Sequence, residues 1–215
     1  INGGKISKSL GNYKDPREYI DSYGIDAVRY FVLREVPFGA DGTFSEEALI
    51  NRTNADLVNN LGNLFNSTVS MAHKYFNGSV QNKEVLEDYD KSLIDSVNNL
   101  DKVLNEKMDG LKINEALDEL FDVFRKCNKY IDEATPWVLA KDETKKDRLE
   151  TVLFNLLESI RVATVYLQAY LPDTSKKIFK VLNTDKTSYE NNTFNKDNKY
   201  NLNEPIHLFD RIEVK

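Results

Sequence analysis

The chain has 215 residues, 40% hydrophobic and 30% charged, with a formal net charge of −6. That length allows one large or two small domains with a real core. The acidic balance counts against a generic nucleic-acid binder, and any attraction for RNA must then be local. The lone cysteine, Cys127, excludes an internal disulfide and a cysteine zinc cluster, and it falls on an apolar helix face as a buried structural thiol. The two histidines, His73 and His207, lie far apart in sequence, so neither a metal site nor a histidine-based triad assembles.

Leu and Phe recur at helical spacing, while Gly and Pro number only 9 and 5, which predicts a mainly α fold. Asp15-Pro16-Arg17-Glu18 reads as an N-cap, a first-turn proline and a capping box, and that helix should stop near Gly24. Asp26 is expected to cap a second helix carrying Ala27, Val28, Tyr30, Phe31 and Leu33, which Pro37 ends. Residues 39–44 read as a turn with a short strand. Ser45 caps a long helix over 46–76, with Leu49, Thr53, Leu57, Leu61, Leu64, Thr68, Ala72 and Tyr75 on its apolar stripe. Its other flank carries Asn59, Asn63 and Ser67, four apart, and Asn77-Gly78 is the stop.

A polar linker leads to a helix over 89–108, ended by Gly110, and to another over 113–134 through Leu117, Leu120, Phe124, Cys127 and Ile131. Thr135-Pro136 opens a new short turn at Trp137. The charge run 141–148 reads as a solvated helix start or loop. The stretch 149–171 is the longest apolar one, but Glu150, Asn155, Glu158, Arg161 and Gln168 interrupt it, so it is a core helix and not a membrane span. Pro172 breaks it, and a last helix carries Ile178, Phe179 and Leu182. Residues 184–203, rich in Asn, Thr, Lys and Asp, read as loose. The end, Pro205-Ile206-His207-Leu208-Phe209-Asp210-Arg211-Ile212, regains apolar character and should dock back as an extended peptide. Three segments follow: a loop and joint at 1–44, a helical bundle at 45–183, and a loose linker with a docking peptide at 184–215. No signal peptide or transmembrane segment is visible, so a cytoplasmic protein with no membrane partner is expected.

Chemistry concentrates at the start. Gly3, Gly4 and Gly11 let the backbone of 3–12 bend, and Lys5 and Lys8 are compact point charges suited to phosphates. Gly4-Lys5-Ile6-Ser7-Lys8-Ser9-Leu10-Gly11-Asn12 resembles the Lys-Met-Ser-Lys-Ser loop of class I aminoacyl-tRNA synthetases, with Ile6 in place of Met. With Tyr23-Gly24-Ile25-Asp26-Ala27-Val28-Arg29-Tyr30, Asp41-Gly42-Thr43-Phe44-Ser45, Asn54-Ala55-Asp56-Leu57-Val58-Asn59-Asn60-Leu61-Gly62-Asn63-Leu64, Pro136-Trp137-Val138-Leu139-Ala140-Lys141 and Leu208-Phe209-Asp210-Arg211-Ile212, the whole chain resembles the C-terminal part of methionyl-tRNA synthetases.

That resemblance implies a small α/β stem-contact segment before an anticodon-binding helical bundle. It implies ATP binding by Lys5, Ser7, Lys8 and Ser9, with Lys8 assisting catalysis, and ATP with Mg²⁺ as the parent enzyme's requirements; no metal site is expected in this chain. It implies methionine tRNA as partner, no DNA, and contact with an upstream catalytic domain, without which the fragment should be inactive. Asn63 and Trp137 would bind the CAU anticodon. The family usually has Arg four residues after that Asn, on the same helical face; here the position is Ser67, a departure that removes a cationic forked donor. Asp26 and Arg29 read as helix capping and surface pairing. The competing readings are an anticodon domain of another class I synthetase and a non-catalytic protein-interaction bundle.

Overall fold

The computed structural model describes residues 15–42 and 44–213. The expectations for Lys5, Ser7, Lys8 and Ser9 therefore lie outside the described residues. Helix α1 (Pro16–Tyr23) opens on the capping box: Asp15 accepts from the Arg17 N–H at 2.9 Å, and Glu18 accepts from the Asp15 N–H at 3.4 Å. Gly24, at φ +84°, turns the chain into α2 (Ile25–Glu35), which buries Ala27, Tyr30 and Phe31. Residues 36–42 form a turn, and no strand is found there among the described residues.

Ser45 caps α3 (Glu46–Arg52) through the Ala48 N–H at 3.0 Å. The helix then runs unbroken to Phe76, but not as one α-helix. Thr53–Gly62 is wound as a π-helix, and α4 (Asn63–Phe76) completes it. The wider winding buries Leu57, Val58, Leu61 and Gly62 together. Asn77, left-handed at φ 51°, ends it. Strand β1 (Ser79–Gln81) follows.

The single helix expected over 89–108 is two, α5 (Asp88–Asn98) and α6 (Leu100–Asp109), broken at Asn99. Beside the break, the Asn98 side chain accepts from the Phe194 N–H at 3.1 Å, a contact made from 96 residues away. Helix α7 (Ile113–Ala134) and the short α8 (Pro136–Leu139) come next, then a 3₁₀ turn and α9 (Lys146–Leu167). Helix α9 is the central post: all of 151–167 is buried, and α4, α5, α7 and α10 (Pro172–Leu182) pack around it. The core is continuous from Ala27 and Tyr30 on α2 to Leu208 near the end.

Residues 184–203 are not loose. Arg161 and Glu158, both fully buried on α9, hold each other at 2.7 and 2.9 Å. Arg161 donates onward to the carbonyls of Lys186, Asn191 and Thr193 at 3.1, 2.7 and 2.9 Å. Glu158 accepts from the Lys196 N–H and the Tyr200 hydroxyl. Strand β2 (Lys199–Asn201) then pairs antiparallel with β1, Val80 opposite Tyr200. The polar composition of the segment misleads because its anchors lie on another element, inside the core.

Candidate nucleic-acid interface

Helix α4 presents one exposed stripe. At about 100° per residue, Asn63, Ser67, Ser70 and Lys74 fall within roughly 60° of one another, and all four are exposed. On one side of the stripe, Gly62, Asn66 and His73 face the C-terminal segment. On the other, Asn60 faces α7: Asn128 Nδ2 donates to the Asn60 carbonyl at 3.1 Å and to its Oδ1 at 2.9 Å, and Asn60 Nδ2 donates to the Phe121 carbonyl at 3.5 Å. Asn60, inside the π winding, thus meets α7 through both its backbone carbonyl and its side chain.

Trp137 is 46% exposed. Thr135, left-handed at φ 45°, ends α7, and the buried Pro136 starts α8, so the ring is carried outward on a rigid corner. Leu139 of α8 shares a cleft of about 170 Å³ with Lys74, Tyr75 and Lys146. Helix α8 thus stands beside the far end of the stripe. Among the described residues no hydrogen bond joins Trp137 to Asn63 or Ser67.

That end is braced from inside. Arg148, expected to be solvated within its charge run, is buried and makes a two-point pair with Asp90 at 2.7 and 2.8 Å. Asp90 also accepts from the Tyr130 hydroxyl at 2.5 Å, and Asn155 donates to that hydroxyl at 3.1 Å. Burial, followed by the Asp90 hydrogen bond, pushes the Tyr130 phenol far above its ordinary pKa, so it is a fixed donor. Burial likewise pushes the Cys127 thiol up to about 12.

Asp26 does not cap its own helix, whose N-cap is Gly24. Its Oδ2 accepts from the backbone N–H and hydroxyl of Thr174, both at 2.7 Å, and so caps α10 from 148 residues away. Arg29 donates to the carbonyls of Ala169 and Tyr170 at 3.0 and 2.7 Å, where α9 has just ended. The two side chains, three apart on α2, clamp the α9–α10 corner between them. Sequence reading named their chemistry and misplaced their partners.

The C-terminal segment follows the long helix in the opposite direction. His73 Nε2 lies 3.2 Å from the Asn203 carbonyl, and His207 Nδ1 lies 3.2 Å from Asn66 Nδ2. Phe209 covers Gly62, Arg211 reaches Asn59 Oδ1 at 3.4 Å, and Asn54 exchanges two hydrogen bonds with the Ile212 backbone at 2.8 and 2.9 Å. The contacts run antiparallel to the helix, from Ile212 on Asn54 to Asn203 on His73, across both its π and its α winding. His207, Arg211 and Asn54 are site-border residues that sequence reading did not single out. The available signal was the alternation at 206–208, with Ile206 and Leu208 inward and His207 outward.

Two family models match the chain. One, described as tRNA synthetases class I (M), matches residues 1–69, and the other, described as the anticodon binding domain of methionyl tRNA ligase, matches residues 80–213. A methionine–tRNA ligase from Caldanaerobacter subterraneus subsp. tengcongensis is 51% identical over 196 residues, which is 90% of this chain and 31% of that protein. The Bacillus subtilis methionine–tRNA ligase is 41% identical over 219 residues, 99% of this chain and 33% of its own. The solved Mycobacterium tuberculosis methionyl-tRNA synthetase in complex with methionyl-adenylate superposes with a TM-score of 0.91 at 34% identity, over 98% of this chain and 42% of that one. The chain belongs to the methionyl-tRNA ligase family. It spans about a third of the length of these curated relatives.

Proposed function

We propose that this chain is the anticodon-reading part of a methionine–tRNA ligase, and that its RNA site is the stripe of Asn63 and Ser67 together with Trp137. The observation that carries this reading is a half-exposed tryptophan on a rigid corner beside an open polar helix face, in a family whose matched domain binds anticodons. The chemistry suits single-stranded RNA. An indole offers a stacking face for any base, while the Asn63 amide offers donors and acceptors that tell base edges apart.

The partner in this reading is methionine tRNA, recognised through CAU, in the cytoplasm. The whole ligase would form methionyl-adenylate from methionine and ATP, with Lys8 meeting charge that grows toward the transition state and Lys5, Ser7 and Ser9 lining the same ATP loop. Mg²⁺ would enter with ATP; the described residues form no group of three His, Cys, Asp or Glu that could hold it.

Fluorescence anisotropy with methionine tRNA and a variant anticodon tests the reading. Trp137→Ala should weaken binding by about 1–3 kcal/mol and change unfolding free energy by less than about 0.5 kcal/mol. Loss of stability with unchanged binding by the folded protein would make Trp137 a packing residue and remove the anticodon assignment.

A further inference from the structure

The open stripe of α4 is the floor of a groove with two walls. One wall is α7 with α8, joined to the helix through Asn60 and Asn128 and carrying Trp137. The other is the C-terminal segment, zipped to the opposite flank from Asn54 to His73. His207 stands on that second wall. Its two ring nitrogens meet Asn66 Nδ2 at 3.2 Å and Asp210 Oδ1 at 3.3 Å, which fixes the plane of the ring, and its side chain stays 60% exposed. Asn66 lies one residue from Ser67 and three from Asn63, so the ring borders the stripe where base reading is placed.

The geometry points to His207 as a second RNA-stacking residue, facing the same single-stranded loop as Trp137 from the opposite wall. The inference rests on the anticodon reading above. Three features support it. An imidazole is one of the rings on which unstacked RNA bases sit. The ring is oriented before binding, so little rotamer freedom is lost when a base arrives. Core packing does not account for it either: inward neighbours Ile206 and Leu208 do the packing, and His207 is exposed.

The chain contains only two histidines and one tryptophan, so each gives a single assignable resonance. Imidazole and indole spectra are recorded on the full 215-residue chain while titrating an RNA stem-loop carrying CAU, and one carrying a variant anticodon. His207 and the Trp137 indole should both shift with the CAU loop, while His73, enclosed by Asn203 and Gly78, should not. By anisotropy, His207→Ala should lose at least about fivefold in affinity, and His207→Phe, which keeps a flat ring, should stay within roughly threefold of the parent.

A shifting indole with an unmoved His207, and His207→Ala binding like the parent, overturns the inference and leaves the anticodon reading standing. If neither resonance moves and the two loops bind alike, the anticodon reading fails and takes this one with it. Should His207→Ala also displace the His73 resonance, the tail has come away; His207→Phe then decides, and its failure to bind with the tail docked counts against stacking.

Discussion

At single positions, what decides function is how a side chain is held. Ser67 is the clearest case. It is exposed on the stripe proposed to read the anticodon, and its hydroxyl brings no positive charge to that turn. Ser67→Arg should strengthen tRNA binding and steepen its salt dependence by about 0.7 log units per log unit of salt, the release expected for one single-strand phosphate contact. A salt titration of the variant against the parent measures this; parallel slopes would show that the added guanidinium meets no phosphate. Cys127 is the opposite case. Burial lifts its thiol pKa to about 12, so almost no thiolate exists near neutral pH. A disulfide reagent should leave it untouched in the folded chain and modify it on denaturation; rapid native labelling would mean that α7 opens locally. Asp26 shows where residue-level reading ran out. Its carboxylate is a good cap by type, and Asp26→Ala should cost about 0.5–2 kcal/mol in denaturant unfolding, yet the helix it serves is named only by the tertiary fold.

Among elements, legibility follows how local the determinant is. The start of α1 and the end of α4 at Asn77 are set by residues within one turn and are readable in the chain, whereas at α10 the Pro172 break is readable and the cap, Asp26, is not. The π winding of Thr53–Gly62 is not. Its stripe of Leu57, Leu61 and Leu64 fits ordinary helical spacing, and what accompanies the wider turn is distant: Asn128 on the Asn60 carbonyl, Phe209 over Gly62 and the Ile212 backbone on Asn54. The break at Asn99 is likewise tied to a remote partner, Phe194. Helix α9 is legible because its apolar face, through Val152, Leu153, Leu156, Leu157, Ile160 and Ala163, recurs at every turn despite the polar residues between. Leu156, fully buried near its middle, gives the corresponding measurement: Leu156→Ala should cost about 2–5 kcal/mol. A cost in the surface range, below about 0.5 kcal/mol, would put the central post somewhere else.

Across the whole molecule, the charged residues that interrupt α9 turn out to be its connection to the C-terminal segment that borders the proposed RNA site. Glu158 and Arg161 read as breaks in an apolar run, which was enough to exclude a membrane span and gave no hint of their partners. Buried together, they hold three carbonyls of residues 184–203, the Lys196 N–H and the Tyr200 hydroxyl. That sets β2 against β1, and Asn203 next caps the chain onto the Lys180 and Val181 carbonyls at 2.7 and 2.9 Å before the tail starts along α4. The position of the second groove wall therefore depends on an ion pair at the centre of the bundle. Arg161→Met should remove about 3–5 kcal/mol of stability, because it leaves Glu158 as an unpaired buried charge and three carbonyls without donors. Under native conditions trypsin should then cut at Lys186, Lys196 or Lys199 faster than in the parent, where the anchored backbone should resist cleavage, and RNA affinity should fall in step with tail release. Glu158→Gln with Arg161→Met removes the stranded charge but not the missing donors, so it should recover part of the stability and little of the protection. An Arg161→Met chain that unfolds within about 0.5 kcal/mol of the parent and resists trypsin would show that the segment is held by β1 and the tail alone.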